Sequence, residues 1–316
     1  MTDILVARAT QWGGAFSSKD ARDAGVDRNG LQRLVAGEVA HRVAPRAYVL
    51  ASAEARATTP EAKHALVARA VLRSFDGRVS ASHHSALALH GLPFWNVDTE
   101  MVHVCRVSGR SSRVRGMLHI HESVPTTQLR VLTLSQAIVT SPALAVIGTA
   151  MVDGVEAGVV AADAALHRGK VNAEELADAV TSATGVPRVT DARLAVAMAD
   201  PRCESPGESR TRLVLQTIPG APRIRSQHRV RDALGREVAR VDFLIGDRVV
   251  VEFDGKVKYG MDGRPEDALW AEKQREDSLR ELGLVVVRIV WADLHRPEVI
   301  VQRVLAALRL AGGTSR

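Results

Sequence analysis

Residues 241–259 read Val-Asp-Phe-Leu-Ile-Gly-Asp-Arg-Val-Val-Val-Glu-Phe-Asp-Gly-Lys-Val-Lys-Tyr. Two runs rich in β-branched and aromatic residues flank the turn Gly246-Asp247-Arg248, which is a hairpin pattern. Side chains alternate along a strand, so Glu252, Asp254 and Lys256 share one side while Val251, Phe253 and Val257 share the other. Antiparallel pairing across so short a connection brings Asp242 toward Glu252 or Asp254. Hard carboxylate oxygens gathered in this way suit Mg²⁺ or Mn²⁺. Phosphodiester hydrolysis needs such a cation, together with positive charge where the attacked phosphate gathers negative charge.

The roles follow from those positions. Asp242 and Glu252 are the expected metal ligands, and Asp254 either joins them or holds a water. Lys256 stands beside the nucleophile, with Lys258 as the substitute for the same task. Glu208, in the first turn of the preceding helix, is within reach as a ligand or water-holder. Lys273, Asp277 and Arg280 recur at i, i+4 and i+7 and so share a helix face expected to look into the site. Alternating charge on an edge hairpin also guards against aggregation. The run 249–253 is apolar on both sides up to its charged end, however, which marks a buried central strand where unused charge is costly.

Those residues need elements to carry them. From residue 200 the pattern is a helix over 208–216, strands over 224–230, 238–245 and 248–254, a helix over 266–282, a strand over 285–290 and a helix over 297–310. The order α-β-β-β-α-β predicts an α/β core with a mixed sheet.

The N-terminal region carries a second kind of chemistry. Ser17 or Ser18 caps a helix ending at Gly25, and Asp27 caps the next, residues 28–36. This third helix is expected to bury Leu31, Leu34 and Val35 while presenting Arg28, Asn29, Gln32 and Arg33, groups able to meet base edges and phosphates. Runs 39–43 and 47–50 across Ala44-Pro45-Arg46 form a wing, with Arg46 at its turn. Helix, glycine turn, helix and hairpin in succession predict a winged helix-turn-helix; a small helical subdomain with a solvated polar face is the alternative.

Residues 56–199 read as a connecting domain of mixed α/β type, mostly helical. Helices are expected over 62–75, 82–90, 135–147, 155–166, 173–183 and 192–198, and strands over 101–107 and 117–121. His83, His84, His90, His103, His119 and His121 raise the question of zinc. No ligand pair followed by a second pair is present, and alternation puts His103 with Cys105 on one strand face and His119 with His121 on another, so sheet-surface histidines are the expectation. The cluster Arg106, Arg110, Arg113 and Arg115 reads equally as a track for a phosphate backbone, with Arg110 and Arg113 as its contacts, or as a solvated hairpin.

With 316 residues the chain has room for two or three cores, and the expected multi-domain α/β (α+β) division is 1–55, 56–199 and 200–316. Its 42 Lys and Arg against 36 Asp and Glu leave a net charge of +6, compatible with a polyanionic partner. Cys105 and Cys203 are too few and too far apart for a disulfide framework. The first residues lack the basic flank and apolar core of a signal peptide, and no apolar run reaches spanning length, so the expectation is a cytoplasmic protein without a membrane partner.

Three stretches also carry a resemblance: Val241-Asp242-Phe243, Val251-Glu252-Phe253-Asp254-Gly255, and Lys273-x-Arg275-Glu276-Asp277-x-x-Arg280-x-x-Gly283-x-x-Val286-x-Arg288. Together they resemble the restriction-endonuclease-like PD-(D/E)XK superfamily, within it the branch similar to very-short-patch-repair endonucleases. The likeness covers about residues 204–310, and Ser205-Pro206-Gly207-Glu208-Ser209 is similar to that branch's opening helix acid. A strict Glu-x-Lys would place lysine at position 254, where this chain has aspartate; Asp254-Gly255-Lys256 meets Asp-x-Lys after a two-residue slide. Residues 16–50 and 82–93 are similar, over shorter motifs, to AbiEi-type antitoxins and transcriptional regulators. The resemblance implies a Mg²⁺-dependent endodeoxyribonuclease acting on DNA, in phage defence or DNA repair, as a homodimer or with a toxin-like partner. The alternative is a DNA-binding transcriptional regulator or antitoxin whose nuclease-like domain is inactive.

Overall fold

The computed structural model describes residues 3–132, 137–255 and 266–312. Lys256 and Lys258 lie outside them. The chain packs as two units, Met1–Ala199 and Asp200–Arg316, in a multi-domain α/β architecture. Among the described residues, no helix is long and apolar enough to cross a membrane.

The first unit opens with α1 (Asp3–Gln11), β1 (Ala15–Ser17), α2 (Ser18–Asp23), α3 (Arg28–Ala36), β2 (Ala40–Ala44) and β3 (Ala47–Leu50), the last two forming a hairpin. The strands make an antiparallel sheet in the order β1-β3-β2. This is the winged helix-turn-helix order. Ser17 caps α2 in a reciprocal box with Asp20, and the Asp27 side chain accepts the Gly30 N–H at 2.7 Å to start α3.

Then come α4 (Ala51–Arg56), α5 (Pro60–Phe75), β4 (Val79–Ala81), α6 (His83–Leu89), β5 (Val102–Arg106), β6 (Arg113–Arg115), β7 (Leu118–His121), β8 (Leu129–Val131), β9 (Ile138–Thr140), α7 (Pro142–Asp153), α8 (Val155–His167), α9 (Ala173–Ser182) and α10 (Val189–Ala197). The six-stranded sheet runs β6-β7-β5-β4-β9-β8. Two expectations are corrected here. Residues 1–55 are not a separate packing unit, because α5 packs on β1 and β3 as well as on β4 and α6. Of the helix expected over 135–147, residues 135 and 136 lie outside the described residues, 138–140 are strand β9, and only the part from Pro142 onward is helical, in α7. Ile138-Val139-Thr140 is β-branched throughout, and Ser141 caps a helix that has Pro142 in its first turn.

The second unit contains α11 (Pro206–Gln216), β10 (Ile224–Arg231), β11 (Glu237–Ile245), β12 (Val249–Asp254), α12 (Glu266–Glu281), β13 (Val285–Val290) and α13 (Pro297–Gly312). Its sheet runs β10-β11-β12-β13. The first three strands pair antiparallel, and β13 pairs parallel to β12 from Val249–Val285 to Asp254–Val290 after the α12 crossover. One face packs Phe243, Ile245, Val249, Val251 and Ile289 with Leu215, Ile300 and Val304; the other packs Val241, Leu244 and Val250 with Leu279. Strand β12 is covered on both faces, as its continuous apolar run requires.

Close packing also fixes where α11 begins. A Cβ added to Gly207 would stand 2.0 Å from a Phe253 ring carbon, and that ring meets Trp291 edge-on at 5.0 Å between centroids. We expect Gly207→Ala to destabilise the protein by roughly 1–3 kcal/mol, read from urea unfolding, because the helix start and the aromatic pair must separate. Unfolding like that of the wild type would mean that Phe253 simply rotates away.

Candidate functional site

Register and helix start place three carboxylates together in the second unit. The β11–β12 ladder ends at the Phe243–Val251 pair, so Asp242 stands one step beyond it, opposite Glu252. Instead of a ladder bond at that point, the Phe253 N–H donates to Asp242 Oδ2 at 2.8 Å. On the other side, Gln227 adopts a left-handed φ of 50° between the pairs Ser226–Phe243 and His228–Val241. Val241 and Phe243, two residues apart, pack into opposite clusters, so β11 rolls over at Asp242. Left-handed backbone at a residue other than glycine carries a conformational cost and points to a constrained site.

Glu208 is buried in the first turn of α11. Its Oε1 accepts Ser205 Oγ–H at 2.8 Å, and its Oε2 accepts the Glu204 N–H at 3.1 Å and Gln227 Nε2–H at 2.7 Å. The same Nε2 reaches Asp242 Oδ1 at 3.4 Å, so one amide bridges the two acids. Burial, with the Glu208 and Glu252 charges added, pushes the Asp242 carboxyl up to about 6, against the opposing pull of the Phe253 N–H and Arg275. Glu252 is ion-paired with Arg275, whose guanidinium also donates to the Arg240 carbonyl. Asp254 is half-buried at the end of β12.

The helix face is corrected. Leu279 is the buried anchor of α12, which turns Arg275 inward and leaves Lys273, Asp277 and Arg280 exposed. Arg280 pairs with Glu276, which also pairs with Arg288 on β13. Nothing in the sequence motif distinguishes Arg275 from its charged neighbours; the signal that finds it is the i, i+4 relation to the apolar Leu279.

No family model matches the chain. Two proteins of Mycobacterium tuberculosis, one from each of two strains and both described as uncharacterized, are 30% identical to it over 221 residues, covering 70% of this chain and 77% of each relative. The chain belongs to their family. Neither relative's description assigns an activity.

In the family member described here, the first unit offers a second surface. Arg28, Asn29, Gln32 and Arg33 are exposed on α3, Arg46 is exposed in the β2–β3 turn with φ 65°, and Arg110 and Arg113 are exposed near β6. Val35, expected in the core, is exposed instead, and Leu34 is half-buried. Leu31 alone among the three is buried. Val35 faces a cleft of about 360 Å³ between helix and hairpin, lined also by Arg28, Gln32, Arg42 and Tyr48.

The histidines are corrected as well. His83, His84 and His103 are buried rather than set on a sheet surface, and His90, His119 and His121 are half-buried; His64 is buried beside them. The strands align His103 with His119 and Cys105 with His121, so what reads as two faces is one. Among the described residues, His83, His103 and His121 form the group of three that brings ligand atoms within 4.8 Å of one another; the carboxylates of the second unit do not form such a group.

Proposed function

We propose that this protein is a metal-dependent DNA endonuclease whose phosphodiesterase site is built around Asp242. The observation that carries the reading is the Asp242 carboxyl, half-buried beside Glu208 and Glu252 and raised to about 6. Perturbed acids gathered at the end of a buried strand are a mark of functional sites. The α-β-β-β-α-β order and the likeness to PD-(D/E)XK nucleases support it.

The donor set fits Mg²⁺ or Mn²⁺. Mg²⁺ needs one or two protein carboxylates, its other positions being filled by water and phosphate oxygens, so a third converging ligand is not required. Asp242 and Glu252 would hold the cation, with Asp254 beside them on β12. A cation there supplies charge neutralisation at the scissile phosphate and a water of lowered pKa. Glu208 orients Asp242 through Gln227, and the Phe253 N–H fixes its other oxygen. Arg275 neutralises Glu252 until a cation takes its place. Lys256 and Lys258 remain the proposed amines near the nucleophile. Plasmid nicking with Mg²⁺, abolished by EDTA, tests the reading.

A second reading is favoured by two observations. The Glu252–Arg275 ion pair and the aspartate at position 254 suit a nuclease-like domain that has lost activity and serves a regulator or antitoxin. Binding to its own promoter without cleavage under any divalent metal would select that reading.

Both readings use the winged helix to hold DNA. Arg28→Ala and Arg33→Ala are each expected to weaken binding and to lower the slope of log affinity against log salt by about 1 for each phosphate left unneutralised. Fluorescence anisotropy across a salt series measures this, and unchanged slopes in both variants would remove α3 from the interface.

A further inference from the structure

The histidines of the first unit form a site independent of the carboxylates. His83 comes from the first turn of α6, His103 from β5 and His121 from β7, three elements brought together by parallel pairing of β5 with β7 and by α6 packing on β5. His103 Nδ1 and His121 Nε2 stand 2.9 Å apart, and the His83 ring stacks on His121 at 4.0 Å between centroids. Nitrogens bound at about 2.0–2.1 Å around one tetrahedral ion are roughly 3.3 Å apart, so the three rings, which stack here, must turn until their lone pairs converge to share one.

The surroundings hold the rings in place. His83 Nδ1 is 3.0 Å from Ser82 Oγ. His83 sits at a left-handed φ of 53°, and α7 passes so close that a Cβ on Gly148 would stand 2.9 Å from the imidazole. Two further histidines are committed elsewhere. His64 is bonded to the Thr99 carbonyl and Ser85 Oγ, and His84 to the Met101 carbonyl and Asp153. Ser85 Oγ also accepts the His103 backbone N–H at 2.9 Å, tying this outer layer to the strand that carries a ligand. Outer partners of this kind orient metal-binding imidazoles. Burial, with mutual repulsion added, lowers the His103 and His83 imidazoles below the ordinary value.

We propose that His83, His103 and His121 form a three-imidazole centre for a transition-metal dication of the Zn²⁺ class, with a fourth position open to water or an exogenous ligand. Imidazole donors without a carboxylate select Zn²⁺, Co²⁺, Ni²⁺ or Cu²⁺ over Mg²⁺. Three protein ligands rather than four are the arrangement of an open centre, in contrast to a closed structural one. Cys105 does not complete the set: its Sγ lies outside the converging group, and burial raises its thiol to about 11. The half-buried His121 marks the open side.

The full-length protein, stripped with a chelator and titrated with Zn²⁺ and Co²⁺, tests this. The expected result is one equivalent bound, with the intense visible absorbance of low-coordinate Co²⁺, undisturbed by millimolar Mg²⁺. His121→Gln, at the half-buried edge, is expected to weaken binding at least about 10–100-fold and to bleach the Co²⁺ band while its metal-free circular dichroism matches that of the wild type. His103→Gln should do the same, and should it not fold, His121→Gln carries the comparison alone. Asp242→Asn should leave Zn²⁺ stoichiometry unchanged, which separates this centre from the proposed nuclease site. Less than one equivalent in the wild type, or equal affinity in His121→Gln, would overturn the proposal.

Discussion

Asp242→Asn is expected to abolish Mg²⁺-dependent plasmid nicking, by at least about 100-fold, and at the same time to raise the melting temperature at pH 8. The two effects have one cause. A half-buried carboxylate beside Glu208 and Glu252 is a strong cation ligand because it is poorly solvated, and for the same reason it opposes folding when ionised. Its folded value is raised from the ordinary 3.8 to about 6, so between these limits the native state holds the extra proton and stability falls as pH rises. Above both, the penalty is on the order of 2–3 kcal/mol. Asparagine removes the charge and keeps the shape and the acceptor for the Phe253 N–H. The wild type should therefore lose stability between about pH 4 and pH 6, and the variant should not. Nicking by the wild type should increase through about pH 6 as Asp242 ionises. Retention of nicking by Asp242→Asn would remove this residue from the reaction. A melting temperature unchanged in that variant would mean that the carboxylate is better solvated than its burial indicates.

Arg73→Ala should destabilise the first unit by about 3–5 kcal/mol, the cost of leaving a buried charge without its hydrogen-bonded partner, with Arg8 standing 3.9 Å off. Asp20 is 1% exposed and accepts Arg73 through both nitrogens of a fork as well as the Ser17 N–H and Oγ–H at 2.8 Å. Burial alone would raise its carboxyl; the Arg73 and Ser17 bonds outweigh it and hold the value below the ordinary range. A depressed acid contributes stability above its unfolded value and loses it as pH falls through the folded one, so the wild type should weaken only in strong acid. Replacing both partners, Asp20→Asn with Arg73→Ala, should recover much of the loss, because no bare charge remains. A double variant as unstable as Arg73→Ala would mean that lost side-chain packing, and not the stranded carboxylate, is responsible.

Local pattern carries far in this chain and then stops at long-range contacts. The β12 strand, the α3 cap at Asp27 and the α-β-β-β-α-β order are legible because each rests on neighbours in sequence: β-branched runs, a capping carboxylate, a glycine past a helix end. Asp242 opposite Glu252 follows from hairpin register. The Arg275 pairing does not, because it depends on which side of α12 meets the sheet, and Leu279 decides that. Nor does Gln227, an uncharged residue whose importance comes from its backbone angle and from the two acids it joins. The histidines mislead for a related reason. Alternation within each strand is readable, but pairing β5 with β7 in parallel, His103 beside His119, brings both sets to one side. Short strands such as β4 and β9 leave almost no periodic signal; each is three residues long.

Helix α5 has a consequence for how such a chain is inherited. Its Leu66 lies by Gly14 behind the wing, while His64, two residues earlier, holds Ser85 and Thr99 beside the histidine-bearing sheet. A winged-helix segment whose rear wall belongs to its neighbour is not a cassette to be cut out and joined to another protein. Recombination within the first unit would strip apolar surface from both halves at once, and the seam open to exchange is the one after Ala199.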